Sequence, residues 1–231
     1  MMPSTRGQER PLRQRRRQRA LCIGLLLKGD RPARRREALA SIVFLRGVNV
    51  GGHKAFRPST LVRELAALRV ASVGAAGTFV VRAQASPTQV RARFLKALPF
   101  EARVIVCPAR DLAELVVADP FSASSADAAD GKFISVLEAP PRRPPPLPLY
   151  APAGEDWQVG VIAVRGRFVA SLLRRVGRSL LYPNEVVEKH FGVAATTRGW
   201  QTILKVCETL KTDAGRPKDR QKLRSSRSRS R

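Results

Sequence analysis

Histidine and cysteine are scarce in this 231-residue chain, and the scarcity removes whole classes of chemistry. The two histidines, His53 and His190, are far apart, and neither has a histidine or cysteine at ligand spacing, so no metal site is expected. Cys22, Cys107 and Cys207 are odd in number and widely separated. They form neither a disulfide framework nor a metal knuckle, and they fit a reducing, cytoplasmic location. No apolar run approaches the ~18–20 residues that span a bilayer, so a membrane-embedded protein is excluded. Aromatics make up 6% of the chain, and no strand carries the aromatic pair of an RNA-recognition sheet. Acidic residues number 18 against 43 Lys+Arg, a formal charge of +25. Glu185 and Glu188 share a helix face, but with Lys189 alongside they read as a solvated face rather than an acid/base pair. No nucleophile elbow is present. Neither a cofactor nor a catalytic set is expected.

The charge that is present is unevenly placed. Residues 1–40 hold 12 basic and 3 acidic residues, and residues 211–231 hold 9 and 2. The 170 residues between hold 22 and 13, a net of only +9. Arginine blocks such as Arg15-Arg16-Arg17 and the closing Ser-Arg repeats repel one another and cannot bury enough apolar surface to offset chain entropy, so both ends are expected to be disordered. The apolar stretch 21–27 lies behind arginines like a secretory leader. It is short, runs into Lys28-Gly29-Asp30 and has no small-residue cleavage site, so export is not expected. Domain character begins at Ser41.

From there the pattern alternates. Residues 41–50 (SIVFLRGVNV) read as a strand ending at Gly51-Gly52, and Leu61, Leu65 and Leu68 mark a helix behind Pro58-Ser59. Two short strand pieces follow, broken by Gly74 and Gly77. Ser86-Pro87-Thr88-Gln89 is a capping box opening a helix on Val90, Phe94 and Leu98. A strand over 102–107 and a short helix over 109–117 complete the order β-α-β-β-α-β, the split pattern of a ferredoxin-like unit. A second unit starts at 132–138, but prolines 140–146 replace its first helix and must be extended. A hairpin turning at Arg165-Gly166 and helices over 183–191 and 197–210 follow. The expected architecture is α+β, with two ferredoxin-like halves in tandem, 41–121 and 122–210. The second is degenerate and carries a Pro-rich loop over 139–154, and the pair is flanked by the basic extensions 1–40 and 211–231.

Two segments could carry chemistry. In Arg46-Gly47-Val48-Asn49-Val50-Gly51-Gly52-His53-Lys54, glycines allow close backbone approach, while Arg46 and Lys54 add charge. It is not a phosphate-binding P-loop, because His53 precedes Lys54 and Ala55 stands where the hydroxyl is needed. In the segment 196–205, Thr197 is read as a helix N-cap with Arg198 in the first turn and Trp200, Ile203, Leu204 and Cys207 on one face.

FLRGVNVGG, VGAAGTFVV and TTRGWQTILKV resemble the three signature segments of the bacterial "domain of unknown function 1697" family, over about residues 41–210. The resemblance implies two ferredoxin-like halves and no established reaction. Arg46, Asn49, Gly51, Gly52, Thr197, Arg198, Trp200 and Lys205 keep the family pattern, whereas Thr78, Gly199 and Gln201 stand where asparagines are usual. The candidate ligand set is therefore Arg46, Asn49, Gly51, Gly52, Lys54, Thr197, Arg198, Trp200 and Lys205. Three uses of it are weighed. A non-enzymatic module would bind nucleic acid or another polyanion. A small-ligand enzyme or sensor would hold a phosphorylated molecule between the RGVNVGG loop and Thr197-Arg198. In the third use the segments only lock the two halves together.

Overall fold

The computed structural model describes residues 40–48, 56–122, 129–177 and 181–211. The basic extensions lie outside these except for Ala40 and Lys211, and so do Asn49, Gly51, Gly52 and Lys54 of the glycine loop. The chain is α+β, with two antiparallel sheets and five helices among the described residues.

The first sheet is built from β1 (Ser41–Arg46), β2 (Val70–Ser72), β3 (Thr78–Val81) and β4 (Arg103–Pro108), in the order β2-β3-β1-β4. Alternation sets its two faces. Val43, Leu45, Phe79, Val81, Val104 and Val106 meet α1 (Pro58–Glu64) and α2 (Pro87–Ala97), through Leu61, Val90, Phe94 and Leu98. Ile42, Phe44, Val80, Ile105 and Cys107 point the other way. The Cys107 thiol, fully buried there, is pushed up to about 12 by loss of solvation and is a core group rather than a nucleophile.

The capping box forms as expected. Gln89 N donates to Ser86 Oγ at 3.2 Å, and Ser86 N donates to Gln89 Oε1 at 3.0 Å. Ser86→Ala removes the acceptor that the Gln89 N–H uses at this helix end and is expected to cost about 1 kcal/mol, lowering the thermal midpoint by about 2–4 °C. A scan with no shift would show that the cap is redundant. The Leu61–Leu68 helix is shorter than its periodicity implied. α1 stops at Glu64 and the chain tightens into a 3₁₀ turn over Ala66–Leu68, which aims Val70 into the sheet.

After α3 (Ala109–Ala118) comes the second sheet, formed by β5 (Gly131–Leu137), β6 (Leu149–Ala151), β7 (Val159–Arg165), β8 (Phe168–Leu173) and β9 (Ala195–Gly199) in the order β6-β7-β8-β5-β9. With β6 set aside, the order β7-β8-β5-β9 repeats that of the first sheet. Prolines 140–148 stand where the first half has α1. The outer face of this sheet packs on α4 (Pro183–Phe191) through Val186, Val187 and Phe191. Its inner face, with Ile134, Val136, Phe168 and Ala170, shares one core with the first sheet's inner face, α3 and α5 (Trp200–Lys211).

One assignment changes character. Residues 195–199 form a strand, and the helix begins at Trp200 instead of Thr197. Thr196 and Thr197 are β-branched, and β5 offers a free edge that pairs Thr197 with Ser135 and Arg198 with Ile134. Thr197 is therefore not an N-cap, and Arg198 does not sit against a helix dipole. Strand β6, which pairs with β7 beyond the prolines, is a second element that the apolar pattern did not indicate.

Candidate functional site

Because Thr197 and Arg198 are strand neighbours, they point to opposite faces of the second sheet. Thr197 Oγ1 lies 2.7 Å from Ser135 Oγ on the α4 side. Arg198 points inward, is 8% exposed, and runs into the end of the first sheet. Its Nε donates to Thr78 Oγ1 at 2.8 Å, and Nη1 to Thr196 Oγ1 and to the Thr197 carbonyl, both at 2.8 Å. Nη2 donates to the carbonyls of Leu45 at 2.7 Å and Ala76 at 2.6 Å. All five N–H groups of the guanidinium are thus engaged within the chain. Burial draws the group down to about 10, which leaves it cationic at neutral pH.

Arg46 ends β1 beside the same strand. Its Nε donates to the Ala195 carbonyl at 3.0 Å and its Nη2 to Glu188 Oε2 at 2.7 Å, while Glu188 Oε1 accepts the Ala195 N–H at 2.7 Å. Glu188 is therefore a seam residue instead of part of a solvated helix face. Register explains why side chains do this work. Glu138 N donates to the Ala194 carbonyl, so by antiparallel alternation Ala195 and Thr197 turn their backbone groups to the free edge of β9. Arg46, Glu188 and Arg198 meet that edge.

Strand β4 shows the same device. Leu45 N bonds Gly77 O on the β3 side, so the paired residue Val104 faces outward. Its carbonyl accepts from Arg91 Nε at 2.9 Å, and the Val106 carbonyl accepts from Arg167 Nη1 at 3.2 Å. Glu138 bridges Arg91 (3.4 Å) and Arg103 (3.0 Å). Arg82 Nη2 donates to the Thr209 carbonyl of α5, and Arg165 lies 3.7 Å from Glu114. The two sheets are sewn together by guanidinium groups, most of them reaching backbone carbonyls that neighbouring strands would otherwise satisfy.

The seam borders a cleft of about 1390 Å³. Its floor is formed by Arg46 and residues 195–198. One wall is the end of α2 with residues 98–103, and the other is the start of α4. Among the described residues the large apolar side chains left exposed are Leu95 (47%), Tyr150 (41%) and Tyr182 (53%), and two of these three line this cleft. Phe100, half-buried against Phe56 at 5.9 Å, also lines the cleft, and Glu101, Arg103 and Glu185 supply charge of both signs.

Of the residues singled out from the sequence, Arg46, Thr197 and Arg198 come together at this cleft. Trp200 packs edge-to-face on Phe121 at 5.2 Å in the central core, and Lys205 is exposed on α5. Neither reaches the cleft lining. Asn49, Gly51, Gly52 and Lys54 follow Val48, which lines the cleft, but lie outside the described residues. Tyr182, Leu95, Glu138, Arg91, Arg103 and Arg167 were not among the residues singled out, and Glu188 was assigned to a solvated face. The one local signal was Tyr182, an aromatic residue directly before a helix-opening proline. Among the described residues no group of His, Cys, Asp and Glu could hold a metal ion, and no helix is long and apolar enough to cross a membrane.

Residues 40–162 match the family model described as "Protein of unknown function (DUF1697)". The conserved bacterial protein SP0830 from Streptococcus pneumoniae has a similar structure, with 16% identity, a TM-score of 0.48, and coverage of 74% of this chain and 98% of that one. None of the curated proteins matches the sequence.

Proposed function

The chain belongs to the DUF1697 family, and from that premise we propose that it is a non-enzymatic binding module for nucleic acid or another polyanion. Two ferredoxin-like halves, about 41–121 and 122–210, hold the cleft between them. The repeated strand order β2-β3-β1-β4 and β7-β8-β5-β9 supports that division. The observation that carries the binding reading is the outer surface of α2. This helix bears Arg91, Arg93 and Lys96 and no acidic residue, with Arg93 and Lys96 exposed away from the cleft that Leu95 lines. A polyanion lying along α2 gains charge complementarity there, and the basic extensions add counterion-release affinity.

The rival, a small phosphorylated ligand held by the glycine loop and Thr197-Arg198, is less well supported. Thr197 turns away from Arg198, and the Arg198 donors are spent inside the chain. Of that pair, Arg198 serves as a lock. The test uses the full chain and a short fluorescent oligouridylate, read by anisotropy at low salt. Reversing two exposed charges with Arg93→Glu and Lys96→Glu is expected to weaken binding about tenfold and to flatten the salt slope by about 1.4 units, ~0.7 for each phosphate of a single strand no longer neutralised. Unchanged affinity in the double variant assigns all binding to the extensions and ends this reading.

A further inference from the structure

We infer that Arg91 and Arg167 guard a latent strand-addition edge on β4, which without them pairs with the β4 of a second copy of this chain. The inference goes beyond the polyanion reading and uses neither Arg93 nor Lys96. A strand at the end of a sheet offers unpaired backbone groups to any chain that can run alongside. β2 and β6 end their sheets with three residues each, too short to template a partner. The other two ends are β4, with six residues, and β9, with five.

On these longer edges the outward carbonyls meet guanidinium groups. Val104 O accepts from Arg91 Nε at 2.9 Å and Val106 O from Arg167 Nη1 at 3.2 Å. On β9, Ala195 O accepts from Arg46 Nε at 3.0 Å and Thr197 O from Arg198 Nη1 at 2.8 Å. An added strand would run ~4.8 Å away in the plane of the sheet, and a guanidinium bonded to an outward carbonyl stands in that lane. Pro108, the next outward position on β4, has no N–H to offer.

The guards of β9 also hold the seam, whereas Arg91 reaches β4 from α2 with 43% of its side chain in water. β4 is therefore the edge that can be opened with the fold intact. Its occupant follows from its own sequence. Val104-Ile105-Val106 is strongly β-forming and uncharged, the kind of segment that pairs with its own copies. Antiparallel pairing about a two-fold axis at Ile105 sets Val104 of each copy opposite Val106 of the other. Those residues face outward, so the two pairs exchange four N–H···O bonds.

The test compares the full chain with Arg91→Ala/Arg167→Ala by light scattering across a concentration series and by amide hydrogen exchange. The variant's average mass is expected to rise with concentration toward twice that of the parent. The Val104 and Val106 amides are expected to gain protection together with it. Arg91→Lys/Arg167→Lys keeps a charged side chain in the lane and is expected to behave as the parent. A folded double-alanine variant whose mass tracks the parent's overturns the inference. So does association without protection at Val104 and Val106, or equal association of the lysine variant, since either points to a loosened seam. If thermal scans show the double-alanine variant unfolded, Arg91→Ala alone decides by the same two readouts.

Discussion

Arg198→Ala lowers the unfolding free energy by about 3–5 kcal/mol in urea titrations. That is the range for leaving several buried acceptors short of donors, at about 1–3 kcal/mol each, around an unfilled cavity. The substitution removes the guanidinium donors from the Ala76 and Thr197 carbonyls and Thr78 Oγ1, leaves the Leu45 carbonyl with only the long bond from Thr196 Oγ1 at 3.4 Å, and opens a cavity between the two sheets. A domain of this size holds about 5–15 kcal/mol in total, so about a fifth or more of its stability is at stake. At about 2–4 °C per kcal/mol the midpoint falls by about 10 °C.

Arg198→Lys recovers only a part of this. An ammonium keeps the charge, but its three donors on a flexible stem cannot reproduce a planar fork aimed at acceptors on β1, β9 and the turn before β3. The experiment also separates a lock from a ligand contact. A residue kept for ligand binding can be truncated at little cost to the empty protein. If Arg198→Ala shifts the midpoint by less than about 2 °C, the seam is not what joins the halves.

The second large effect is expected at Gly77. This residue has φ near +70°, where side chains are disfavoured, and an added Cβ would sit 2.5 Å from Val48 Cγ2 and 2.8 Å from Leu45 Cβ. Both neighbours are buried, and Leu45 cannot swing away, since it is fixed in β1 with its N–H on the Gly77 carbonyl at 2.8 Å. Gly77→Ala therefore combines left-handed strain of about 1 kcal/mol with overpacking of about 1–3 kcal/mol. It also shifts the Ala76 carbonyl that Arg198 uses, so the two sites are coupled. In a double-mutant cycle Gly77→Ala and Arg198→Ala together are expected to cost less than the sum of the single changes, because the second finds the interaction already broken. Strict additivity in that cycle, or a Gly77→Ala protein as stable as the parent, would show that the turn and the guanidinium act independently. Gly74, also at positive φ, has open space where a side chain would stand and makes a useful control. Substitution there meets the backbone strain alone.

These two residues show which parts of the fold were legible in the chain. Strands β1, β3, β4, β5, β7 and β8 announce themselves, because a strand buried on both faces must be apolar at nearly every position and bounded by turn residues. The α2 cap is legible for a similarly local reason: its two hydrogen bonds join residues three apart. Strand β9 was not. Ala-Thr-Thr-Arg-Gly has no apolar alternation, and it becomes a strand only because β5 lies alongside with unpaired backbone groups. β6 is three residues beyond a proline run and owes its existence to β7. In both, tertiary partners outweigh a weak local preference.

The candidate site divides along the same line. Arg46 and Arg198 were visible as basic residues within two distinctive segments, and the sequence placed both among candidates for a ligand or for a lock. Choosing between these uses needed the acceptors, which lie more than a hundred positions away in the chain on Leu45, Ala76, Thr78, Glu188 and Ala195. Glu188 looked solvated because its helix neighbours are charged. Its partner comes from the other half.

What the sequence determined by itself is therefore the set of quantities that add along a chain: the scarcity of metal ligands, the share of positive charge lying outside the central 170 residues, the apolar periods and the local caps. What only the tertiary structure decided is where the remaining charge points. Several arginines of the core are turned inward or across the seam, with carbonyls and two glutamates as partners, while Arg93 and Lys96 stay exposed on α2. The physical reason is that a guanidinium's energy depends on acceptor geometry within about 3 Å, and that geometry is set by which strand edges face each other. Composition counts a bonded arginine and an exposed one alike.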